Sequence, residues 1–134
     1  MIKKSDLKQY RNLKMVLSTI DEEIDHAYNT YKSPQMQSRA SSFDKNDPGD
    51  PVVRALKRID VLKKQRANII EKIEALEQYV NNIEDYFVQG VIRYHYFEGY
   101  TWEATCMQFR GHKSARTITT KINNYFASQE SHHD

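Results

Sequence analysis

The chain has 134 residues, of which 39% are hydrophobic and 28% charged, with a formal net charge of +2. That length holds one domain, or a small domain with a helical extension, and this balance suits extended helices better than a thick globular core. The one cysteine, Cys106, excludes an intrachain disulfide, and no apolar run is long enough to span a membrane.

Met1-Ile2-Lys3-Lys4 runs straight into an amphipathic pattern without the features of a signal peptide, so a reducing cytoplasm is the expected setting. Ser5 or Asp6 is the expected cap of a first helix that reaches about Lys32. Tyr10, Leu13, Leu17, Ile20, Ile24, Ala27 and Tyr31 step by three and four residues, an a/d seam sustained over three heptads. Asp21, Glu22, Glu23 and Asp25 form an acidic patch outside it, the usual make-up of a solvated face.

Residues 33–51 break the pattern and carry all three prolines, so a flexible connection is expected there. It allows the flanking helices to pack antiparallel, or the first helix to pack on another subunit. Asp50 can cap the next helix, with Pro51 in its first turn. Leu56, Ile59, Leu62, Arg66, Ile69, Ile73, Leu76, Val80, Ile83 and Phe87 then form the longest seam of the chain. Arg66, its one polar member, either snorkels out or fixes register. Asn81-Asn82 and Gly90 are weak points, and a domain boundary is expected near residue 82. Two apolar stripes require burial within one chain, between chains, or both. A homo-oligomer, dimer or tetramer, is therefore expected.

The last third is punctuated differently. A helix should end near Phe97-Glu98, with Gly99 in the left-handed conformation that stops it. Thr101 is the expected cap of a short helix, roughly Trp102 to Phe109, and Trp102 is expected in the core. Cys106 reads as a small buried residue. Arg110-Gly111-His112-Lys113 makes a second break. Ser114 then caps a last helix with apolar positions at Ala115, Ile118, Ile122 and Tyr125 or Phe126. Two short helices around a glycine turn, after a third, have the outline of a helix-turn-helix.

The opposite face of that last helix presents Arg116, Thr120 and Asn124, with Lys113, Thr117 and Asn123 beside them and no carboxylate. Such a set suits the DNA major groove, where arginine reads guanine and amides read adenine. A solvated polar face on a small helical domain would carry the same pattern. Residues 91–127 hold five cations against Glu98 and Glu103, the sign expected for phosphate contact. The candidate DNA-binding residues are Arg110, His112, Lys113, Ser114, Arg116, Thr117, Thr120, Lys121, Asn123 and Asn124. Arg116, in the first turn, is the expected base contact; Arg110, Lys121 and His112 are expected at phosphates.

The run Val91-Ile92-Arg93-Tyr94-His95-Tyr96-Phe97-Glu98-Gly99-Tyr100-Thr101-Trp102-Glu103 resembles the "IL-x-x-RY-x-x-G-x-SW-E" pattern of helix-turn-helix domains related to sigma-factor region 4. Ser114-Ala115-Arg116-Thr117-Ile118 resembles the "S-x-R-T-V" that opens their recognition helices. Small phage proteins of the RinA/ArpU/LtrC type, activators of late transcription, join such a domain to a helical N-terminal part. The domain resemblance covers about the last third, and the layout fits the whole length. It departs from that pattern at Thr105-Cys106, where the family usually has isoleucine-alanine, and in a longer link between Phe109 and Ser114. The resemblance implies activation of phage or mobile-element late genes through bacterial RNA polymerase, in the cytoplasm of a bacterial host.

The expectation is thus an all-α protein: long N-terminal helices forming a coiled-coil-like hairpin, followed by a C-terminal helix-turn-helix. Residues 1–82 would form the oligomerisation region, 83–127 the double-stranded-DNA-binding domain, and 128–134, with His132 and His133, a disordered tail. No phosphate-cradling glycine loop, Cys/His metal spacing or nucleophile-base motif is present, so neither enzymatic activity nor a cofactor is expected. Two alternatives remain open. A small terminase subunit also joins a helix-turn-helix to an oligomerising part, usually in the opposite order. A coiled-coil adaptor would bind protein and show no salt-dependent DNA affinity.

Overall fold

The computed structural model describes residues 2–32, 49–109 and 114–131, and the protein is all-α. The helices are α1 (Lys4–Leu7), α2 (Tyr10–Tyr31), α3 (Pro51–Asn81), α4 (Tyr86–Ile92, continued by a π-helical turn, Arg93–Phe97), α5 (Trp102–Cys106) and α6 (Ala115–Ser131).

Several ends follow from their caps. Asp50 Oδ1 accepts the Val52 N–H at 2.8 Å, and Pro51 opens α3. Thr101 Oγ1 accepts the Ala104 N–H at 3.0 Å, and Ser114 Oγ accepts the Thr117 N–H at 3.2 Å. Gly99 takes a φ of 81°, and the Tyr100 N–H closes the helix end on the Tyr94 carbonyl at 3.0 Å. The first helix departs from the expected single rod. It begins at Lys4, because the Asp6 carboxylate reaches back to accept the Lys3 N–H at 2.8 Å. The backbone then turns at Lys8-Gln9 before α2 starts.

The chain packs as two compact units, Met1–Leu13 with Ile73–Asp134, and Lys14–Lys72. This differs from the boundary expected near residue 82. The helix does break there, and Asp85 caps α4 by accepting from Phe87 N (3.0 Å) and Val88 N (3.2 Å). The break is not a unit boundary, because the end of α3 and the first thirteen residues pack with the C-terminal helices. Leu7, Val80, Val88, Val91, Ile92, Ile118 and Ile122 are all but inaccessible to solvent. The Tyr10 ring stacks on Phe97 with centroids 3.8 Å apart, and its hydroxyl donates to Glu77 at 2.8 Å. Burial and the Glu77 carboxylate push the Tyr10 pKa up to about 12.

In the Lys14–Lys72 unit, Arg66 Nε meets Asp21 at 2.6 Å and Arg58 meets Glu23 at 3.3 Å. A later residue of α2 thus pairs with an earlier one of α3, so the helices run antiparallel. Arg66 leaves the seam for a carboxylate at the surface; such half-exposed pairs contribute about 0–1 kcal/mol. Ile20, Ala27, Ile59 and Leu62 are buried, whereas Leu17, Ile24, Leu56 and Ile69 are only half-buried. The tail also departs from expectation: α6 extends through Ser131, well past residue 127. Residues 132–134 and most of the 33–51 connection lie outside the described residues.

Candidate nucleic-acid interface

An aromatic cluster sets the geometry around α5 and α6. The π-helical turn, in which Glu98 N–H donates to the Arg93 carbonyl at 2.9 Å, presents Tyr94, His95, Tyr96 and Phe97 in succession. Trp102 lies flat on His95, centroids 3.7 Å apart, and edge-on to Tyr96. His95 Nδ1 meets the Tyr100 carbonyl at 2.7 Å. Burial lowers the His95 pKa despite that hydrogen bond, and Lys8 adds to the lowering. Phe109 packs against Phe87 and Tyr94, with its ring over Gly90, where a Cβ would lie 3.3 Å from it. Gly90 therefore does not weaken α4; it admits the ring that follows α5.

The core side of α6 is Ile118, Ile122 and Phe126, all buried. Thr105 of α5 is fully buried too, and its hydroxyl has no hydrogen-bond partner among the described residues. Cys106 is buried.

On the other side of α6, Ser114, Arg116, Thr117, Thr120, Lys121, Asn123 and Asn124 are exposed. They differ in how free they are. Ser114 caps the helix, and its hydroxyl lies 3.0 Å from that of Thr117. Lys121 Nζ sits 4.3 Å from the centre of the Phe87 ring, a cation–π contact that aims the side chain. Asn123 Oδ1 accepts from Lys4 Nζ at 2.5 Å. Arg116, Thr120 and Asn124, one turn apart, have no side-chain partner among the described residues and form one open row. Arg110, His112 and Lys113 lie outside the described residues.

Sequence reasoning missed Lys4. It sits 119 positions from Asn123 and belongs to a stretch read only as the start of a helix. Helical periodicity carries no signal for so distant a contact.

A cleft of about 450 Å³ lies elsewhere in this unit, lined by Tyr79, Asn82, Ile83, Glu84, Asp85, Tyr125 and Gln129. Its charged residues are carboxylates, and Tyr125 stands about 180° around α6 from Arg116. The acidic side is thus turned away from the open polar row. Burial, then Tyr125, pushes the Tyr79 pKa up. Among the described residues no cluster of three His, Cys, Asp or Glu could hold a metal ion, and no helix is long and apolar enough to cross a membrane. No protein-family model, no curated protein and no solved structure matches this chain.

Proposed function

We propose that this chain is a sequence-specific duplex-DNA-binding regulator of transcription, with α6 as its recognition helix. The observation that carries the reading is the open, carboxylate-free row Arg116–Thr120–Asn124. It lies on a helix whose other side is locked into a core behind a glycine turn and a short helix. An α-helix fits the major groove, and these side-chain types match its donors and acceptors. By resemblance, the output is activation of phage or mobile-element late genes through bacterial RNA polymerase.

The half-buried residues Leu17, Ile24, Leu56 and Ile69, with exposed Met15, Val16 and Val61, support a homo-oligomer assembled through the Lys14–Lys72 unit. A dimer or tetramer links reading heads and raises affinity through effective concentration.

Selection from randomised duplex DNA, followed by affinity measurement on the recovered site, tests the reading. Arg116→Ala should cost about 1–3 kcal/mol on that site and relax the preference at one base pair. Unchanged binding and preference would refute α6 as the reading element.

A further inference from the structure

The first helix is built into the same compact unit as α6, and the segment around it is rich in cations. The first fourteen residues hold Lys3, Lys4, Lys8, Arg11 and Lys14 against a single carboxylate, Asp6. Asp6 is already committed to the Lys3 N–H. Fully buried Leu7 anchors this segment, as does Tyr10, stacked on Phe97 and bonded to Glu77. Its place beside α6 is therefore set by packing.

Lys4 marks that place. Its Nζ donates to Asn123 Oδ1, and an ammonium has three donors, so two remain for other acceptors. Asn123 lies on one edge of the open row and Lys121 on the other, about 160° apart across the face at 100° per residue. Lys4 and Lys121 thus place one ammonium at each edge of the row. A helix lying in the major groove, ≈ 12 Å wide, has one phosphate strand at each side.

We propose that the first helix is a phosphate clamp: Lys4, with Lys3 and Lys8 beside it, grips the DNA strand opposite the one met by Lys121. This rests on the reading of α6 as the recognition helix and adds a second, sequence-independent contact to it. The clamp fixes the depth and tilt of α6 without selecting bases. It also supplies cations where residues 91–127 alone carry a modest excess.

The test is the salt dependence of binding to the selected duplex, in the full chain. The variants are Lys3→Gln/Lys4→Gln/Lys8→Gln and, as a comparator of equal charge, Lys57→Gln/Lys64→Gln/Lys72→Gln in the other unit. Circular dichroism checks the fold of both. Each phosphate contact contributes about 0.9 to the slope of log K against log salt. The first variant should lose two to three in slope, roughly one to two orders of magnitude in affinity at 0.15 M salt, with base preference intact. The comparator should keep the parental slope. Parental binding with an unchanged slope in the first variant, or an equal loss in the comparator, overturns the clamp alone. Absence of any duplex binding by the parent overturns the clamp and the recognition-helix reading together.

Discussion

Thr105 provides a direct test of the packing behind α6. Its side chain is fully buried, and its hydroxyl has no partner among the described residues. An unsatisfied buried hydroxyl costs about 1–3 kcal/mol, since the water it gave up is not replaced. Valine has the same β-branched shape and nearly the same helix propensity, and puts a methyl where the oxygen stands. Thr105→Val should therefore stabilise the protein by about 1–2 kcal/mol, which corresponds to a Tm rise of roughly 2–8 °C for domains of this size. Thr105→Ser keeps the hydroxyl but removes a methyl, and should destabilise by about 1 kcal/mol. Urea unfolding, followed by far-ultraviolet circular dichroism and by Trp102 emission, reads both. The valine midpoint should rise at constant m. A valine variant less stable than the parent would show that the hydroxyl is satisfied and would refute the reasoning.

Other expectations follow from the aromatic cluster and its glycine turn. Gly99→Ala should cost about 1–2 kcal/mol, because φ is 81°; the Arg11 guanidinium that the new Cβ would meet is the end of a flexible side chain and can swing aside, so Arg11→Ala in the same background should recover little of that cost in thermal melts. The lowered pKa of His95 means that the unfolded chain takes up its proton first, so this residue's contribution to stability is intact above about pH 6.5 and is lost as pH falls below it. Since His95 stacks on the only tryptophan, Trp102 emission of the native protein should titrate with a midpoint below 6.5, and His95→Gln should abolish that step; a midpoint above 6.5 would contradict the burial argument. Tyr10, with its pKa raised to about 12, is protonated in the folded state while the unfolded chain ionises near 10, so stability should fall as pH rises from 10 to 12. Tyr10→Phe should lose about 1 kcal/mol at neutral pH, from the Glu77 hydrogen bond, and show a shallower alkaline decline.

The helical class and most of the helix ends can be read from the amino-acid order alone. Those features rest on local physics: three-and-four spacing, and side chains that can reach a backbone N–H two or three residues away. Asp50, Thr101, Ser114 and Gly99 all act as their types and places demand. The exposure of Arg116, Thr120 and Asn124 was likewise legible, since Ile118 and Ile122 claim the opposite side of the helix. Tertiary structure decided what periodicity does not encode. Gly90 looked like a breaker, yet it is the surface on which Phe109 rests. The helix break after Asn81 looked like a domain boundary, but packing of Leu7 and Tyr10 carries the first thirteen residues into the C-terminal unit. Asn123, placed by the sequence among the candidate DNA-binding residues, accepts a hydrogen bond from Lys4. Local rules reach about one helical turn, whereas contacts between residues a hundred positions apart depend on which apolar surfaces bury one another.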